Sequence, residues 1–155
     1  MDLGLKSKKV ILTGGSRGLG RAALEHFASE GADIAFFSRN AEQVAAAKSE
    51  LEAHGGKVIA DALDMTDIDG YAKWLEKAAG DLGGCDIFIH NVSSSGAGAT
   101  GDWEVTFQTD IIGAVKAIEV LEPHLEKSDD GSVIFMSSTA AFETFVAPQA
   151  FNAMK

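Results

Sequence analysis

Between Thr13 and Gly20 the chain reads TGGSRGLG, directly after the apolar run KVIL and directly before a helical pattern. A strand that feeds a helix through such a loop aims unpaired backbone N–H groups and the positive helix end at an anion. Gly14 suits the tight turn, Gly18 the close approach of a pyrophosphate, and Gly20 the packing of helix near strand. Ser16, Arg17 and Leu19 complete the loop. A second arginine, Arg39, follows the next apolar run within Ser38–Arg39–Asn40, a turn that carries no acid. A guanidinium fork matches phosphate oxygens, although either arginine alone reads equally well as a solvated surface charge. The histidines His26, His54, His90 and His124 show no metal-ligand spacing with a carboxylate, so no metal is expected.

Strands and helices must hold these loops. KVILTG (9–14), DIAFFS (33–38), KVIAD (57–61), DIFIH (86–90) and SVIFMS (132–137) read as strands, four of them nearly continuous apolar runs. Such runs suit parallel strands covered on both faces. Helical stripes alternate with them: Leu19, Ala23 and Phe27; Val44, Ala47 and Leu51; Tyr71, Trp74, Ala78 and Leu82. The longest stripe is Phe107, Ile111, Ala114, Ile118, Leu121 and Leu125, with Pro123 bending or ending its last turn. Glycines 31, 55–56 and 83–84 close the first three helices. The alternation predicts an α/β fold, a parallel sheet with right-handed crossovers, in one domain spanning 1–155. SSSGAGATG (93–101) reads as a flexible loop after the fourth strand.

The net charge of −10 argues against a general nucleic-acid binder and against anionic membranes. No run approaches the ~20 apolar residues of a membrane span, and the start lacks a signal-peptide core, so a cytoplasmic protein is the default expectation. Cys85 is the single cysteine, expected as a buried thiol rather than half of a disulfide.

TGGSRGLG resembles the TGxxxGxG signature of the short-chain dehydrogenase/reductase family, and further likenesses follow in order to the final lysine. LDMTD places Asp64 at the family's adenine-contacting aspartate, with Met65 after it. HNVS (90–93) is similar to a diverged NNAG segment that keeps Asn91. MSS (136–138) resembles the serine strand, and FNAMK (151–155) occupies the YxxxK site. The resemblance implies a Rossmann-like doubly wound sheet of order 3-2-1-4-5 with helices on both faces. It also implies hydride transfer between a nicotinamide cofactor and a small-molecule carbonyl or secondary alcohol. Basic residues at 17 and 39 without an acid accompany NADP(H) rather than NAD(H) in that family.

Carried over by position, the family's serine is Ser138, its lysine Lys155, its tyrosine position Phe151 and its asparagine position Asp110. In the family the lysine holds the nicotinamide ribose and lowers the pKa of the tyrosine, which exchanges the proton. Ser137 misses the serine spacing by one and is expected on the opposite side of the strand. A phenyl ring neither donates nor accepts a proton, and the only tyrosine, Tyr71, belongs to another element. Three readings of Phe151 stand side by side: a core residue of an inactive relative, a tyrosine replaced to trap a complex, or a protein with different chemistry. Activity of this chain is expected to be low or absent, the alternative being an NADP(H)-binding pseudoenzyme or scaffold. Asp110 keeps a carbonyl-like acceptor, loses the amide donors, and is expected to hold water and Lys155 electrostatically or to be a polar side chain beside the apolar stripe. His90 is expected to end a strand near the cofactor.

Family members run to about 250 residues, near the upper size of one domain. The chain is therefore expected to be the front portion, with 132–137 as an exposed edge and the parent a homo-oligomer built through the long helix and the helix at Phe151.

Overall fold

Strand β1 (Lys9–Thr13) owes its central place to side chains that are apolar on both faces. Val10 and Leu12 enter one core with Ile34 and Phe36, while Ile11 enters the other with Ala35 and Phe37. That alternation is the period-two geometry of a strand covered on both sides. The computed structural model describes residues 3–94, 102–143, 145 and 147–155. Residues 95–101, most of the expected loop after the fourth strand, lie outside them.

β1 is flanked by β2 (Asp33–Ser38) and β4 (Ile87–His90), with β3 (Val58–Ala62) and β5 (Ser132–Phe135) outermost. All pairings are parallel and the order is β3-β2-β1-β4-β5, as expected. Helices α1 (Gly18–Ser29) and α2 (Ala41–Glu52) bring Leu24, Ala28, Val44, Ala47 and Leu51 to one face. Helices α3 (Ile68–Leu82) and α5 (Gly113–Leu125) bring Tyr71, Trp74, Leu75, Ala117 and Leu121 to the other. Side-chain caps fix the starts: Asn40 accepts from the Gln43 amide at 2.9 Å, and Asp67 from the Gly70 amide at 3.1 Å. Cys85 is buried, its thiol pushed up to about 12 by burial. The Tyr71 hydroxyl is buried without a hydrogen-bond partner among the described residues, and its pKa is raised by desolvation.

Two expected stripes are corrected. On α1 the fully buried line is Gly20, Leu24 and Ala28, and Leu19 is 72% exposed. Leu19 opens the helix and faces the cleft described below rather than the sheet. The long helix is not uniform. It begins as α4 (Trp103–Thr106), passes through a π-helical segment (Phe107–Ile112) and continues as α5. The wider turn shifts the phase of the face that meets the core. Asp110, Gly113, Ala117 and Leu121 are buried while Phe107 is exposed, so Asp110 stands on the buried line itself. The face of β5 is exposed at Val133, Ile134 and Phe135, in keeping with an edge strand.

Candidate active site at the carboxyl ends of the strands

The loop between β1 and α1 is fastened before it reaches any ligand. Gly14 and Gly15 donate their amides to the Phe37 carbonyl at 3.0 and 3.2 Å, and the Ser16 amide donates to Ser38 Oγ at 3.2 Å. On the other side the Asn91 side-chain amide donates to the Thr13 and Gly14 carbonyls, each at 3.1 Å. Thr13 Oγ1 in turn accepts from the backbone amides of Asn91 and Val92 at 3.0 and 3.1 Å. The carboxyl ends of β1, β2 and β4 are thus tied into one rim. Gly20 is required by close approach: a Cβ there would stand 2.3 Å from the Gly14 carbonyl oxygen. Gly18, at φ +59°, has nothing among the described residues within 4 Å of where a Cβ would be, so they leave that side of the helix start open.

Along this rim runs a cleft of about 740 Å³, within the ordinary range for small-molecule sites. The glycine loop supplies Gly14, Ser16, Arg17, Gly18, Leu19 and Gly20; Arg39 after β2, Asp64 and Met65 after β3 and Asn91 after β4 line the cleft as well. These are ten of the eleven cofactor positions expected from the sequence. The eleventh, Lys155, is not among the lining residues. Helix α1 has no acid in its first turn, so its free amides and positive end meet the cleft undiminished. Arg39 makes no ion pair among the described residues. Asp64 closes its own turn, accepting from the Thr66 amide and hydroxyl at 3.0 and 2.9 Å. Asn40, Gln43, Leu63 and Thr109, to which the sequence assigned no cofactor role, are among the other residues that line the cleft. Asn40 and Gln43 carried a signal as neighbours of Arg39 at a helix start.

A second cluster sits behind the β4 end of the cleft. The Met136 amide donates to the His90 carbonyl at 2.9 Å, extending the pairing of β5 and carrying Ser137 and Ser138 to the rim. Ser138 Oγ accepts from the Ala140 amide at 3.2 Å, starting a short turn (Thr139–Ala141), and Ser137 Oγ donates to the main-chain oxygen of Lys155 at 2.7 Å. Helix α6 (Gln149–Met154) holds Phe151, whose ring centroid lies 5.5 Å from Lys155 Nζ. The ammonium itself is paired with the Asp110 carboxylate. Asp110 Oδ2 accepts from the Ser94 amide at 3.1 Å, and Ser94 and Thr109 both line the cleft. The cleft and the Lys155 cluster therefore share a wall. His90 is buried beside this pair, with Phe88 and Phe135 around its ring, and is pushed down to about 4 by desolvation and then by the Lys155 charge.

A family model described as short chain dehydrogenase matches residues 8–155. The chain belongs to the short-chain dehydrogenases. It is 34% identical over 154 residues to isoepoxydon dehydrogenase patN of Penicillium expansum, covering 97% of this chain and 60% of that protein. The structure of L-sorbose reductase from Gluconobacter frateurii, complexed with NADPH and L-sorbose, superposes with a TM-score of 0.90 at 26% identity, over 99% of this chain and 61% of that one. An NAD+-bound xylitol dehydrogenase superposes at 0.84 with 18% identity, over 97% and 60%, a likeness of fold alone. The chain thus spans about three-fifths of the length of these relatives.

The residues of this short-chain dehydrogenase fit a dinucleotide at one end, and at the other lie the positions expected to carry the family's tyrosine and asparagine. Open space at Gly18, the amino end of α1 and the size of the cleft accommodate a diphosphate. At 151 the side chain offers no exchangeable proton, and at 110 a carboxylate grips the lysine directly.

Proposed function

We propose that this chain is the cofactor-binding part of an NADP(H)-dependent oxidoreductase acting on a carbonyl or secondary-alcohol substrate, with proton exchange impaired at Phe151. The observation that carries the reading is one cleft of about 740 Å³ lined by both the start of α1 and Arg39. When bound, the nicotinamide supplies or accepts the hydride. The first amides of α1, from Gly18 to Gly20, and the positive end of that helix hold the diphosphate, and Arg17 and Arg39 favour a 2′-phosphate over a bare hydroxyl. Ser138, half-buried just past the carboxyl end of β5, offers its hydroxyl hydrogen to a substrate oxygen. Phe151 stands beside Lys155 and has no proton to exchange. A second reading, a protein that binds NADP(H) without turning over substrate, is favoured by Phe151 and by the buried Asp110–Lys155 pair.

Fluorescence titration of the intact protein with NADPH and with NADH tests the cofactor assignment. NADPH is expected to bind the more tightly. Arg39→Glu is expected to weaken NADPH roughly 10- to 100-fold, the worth of one charge-assisted contact, and to leave NADH within a few-fold. Equal affinities for the two cofactors, or no effect of the Arg39 variant, would refute the NADP(H) preference.

A further inference from the structure

Two departures from the family pattern, a carboxylate at 110 and a phenyl ring at 151, meet at a single amino group. Lys155 Nζ is paired with Asp110 Oδ1, lies 5.5 Å from the Phe151 ring centroid, and is 3.5 Å from the Met136 carbonyl oxygen. The pair is withdrawn from water, the lysine side chain being 7% exposed and the aspartate 1%. An ammonium in such a place needs an anion or a set of hydrogen-bond acceptors. A phenyl ring supplies only its quadrupole, and the Met136 carbonyl is at the limit of hydrogen-bond length. The carboxylate is what remains. From β4, His90 is the other titratable group beside the pair among the described residues, and its buried ring carries no charge at neutral pH. Helix α4, which also packs on α6, carries the exposed Glu104, and the turn Thr139–Ala141 carries no charge.

We propose that Asp110 and Phe151 are one coupled change, in which the aspartate neutralises and anchors the Lys155 ammonium that a hydroxyl at 151 would otherwise engage. Asp110 is then a positioning residue that acts through Lys155. An unpaired cation within about 4–6 Å lowers the pKa of a neighbouring acid by about 1–3 units. A cation already closed into an ion pair presents a dipole, whose field falls off faster. A tyrosine restored at 151 beside an intact Asp110–Lys155 pair therefore remains an ordinary phenol.

The proposal rests on reading position 151 as the site of proton exchange, yet its test needs neither cofactor nor substrate. The phenolate is followed by ultraviolet absorbance in Phe151→Tyr, taking the difference from the parent so that Tyr71 cancels. The single variant is expected to titrate at or above the ordinary value of about 10. Adding Asp110→Asn is expected to lower the midpoint by about one unit or more, and Asp110→Ser, which also removes the anion, by a similar amount. A phenol titrating below about 9 in the single variant, or one whose midpoint is the same with and without the carboxylate, would overturn the coupling. A shifted phenol without NADPH turnover would instead count against the oxidoreductase reading and leave the coupling standing.

Discussion

The double replacement Phe151→Tyr with Asp110→Asn raises NADPH-dependent turnover by about 10²–10⁴-fold over the parent, the usual worth of a positioned general acid–base. Phe151→Tyr alone recovers a minor part of that gain. The ring at 151 occupies nearly the volume of a tyrosine, so the added oxygen brings a proton donor with little repacking. A donor works best when its pKa lies near the working pH, and an ammonium free of its carboxylate supplies that field. Asparagine at 110 keeps an acceptor for the Ser94 amide, which now bonds Asp110 Oδ2 at 3.1 Å. The lysine stem is long enough to carry its charge toward the new hydroxyl or toward water. The measurement is kcat/KM for the parent, each single variant and the pair, against simple ketones and secondary alcohols in the intact protein. Equal rates in all four would remove position 151 from the chemistry.

Acidification from pH 7 to pH 4 removes about 3 kcal/mol of folding stability through His90 alone. The side chain is buried, and desolvation with the nearby Lys155 charge pushes it down to about 4, while the Asp110 charge opposes this in part. In the unfolded chain a histidine takes its proton near 6.5, so between about 6.5 and 4 the unfolded state binds a proton that the folded state refuses. The contribution is therefore fully present above pH 6.5 and is lost as pH falls toward 4. A gap of about 2.5 pH units corresponds to the energy stated. Urea unfolding of the parent and of His90→Asn at pH 7 and pH 4 isolates it, because the other acid-sensitive groups cancel in the difference. Identical pH dependence in the two proteins would mean that His90 is hydrated or already charged in the folded state.

Much of this site was legible in the residues because its supports are local. TGGSRGLG, the acid-free turn at Arg39 and the LDMTD segment each lie at the carboxyl end of a strand, and parallel strands buried on both faces declare themselves as apolar runs. Ten of the expected cofactor positions therefore line one cleft. What periodicity misplaced has a physical cause in each case. Leu19 fits a helical stripe by spacing, but the first turn of α1 borders the cleft, where an apolar side chain can stay exposed. The stripe from Phe107 assumed one continuous α-helix, and the π-helical segment shifts the face that meets the core. That shift turns Asp110 from a polar neighbour of the stripe into a buried partner of Lys155. The direct pairing of residues 45 positions apart (155 − 110) depends on how α6 docks on the long helix, which local patterning does not encode.

Diphosphate binding at the amide-rich start of α1 is central to the proposed function, and a crystal of the intact protein soaked with NADPH examines it directly. Density for the diphosphate against Ser16–Gly20, with the 2′-phosphate within hydrogen-bond reach of Arg39, is the expected result. A cleft that stays empty at saturating NADPH, or a nucleotide bound away from the start of α1, would contradict it.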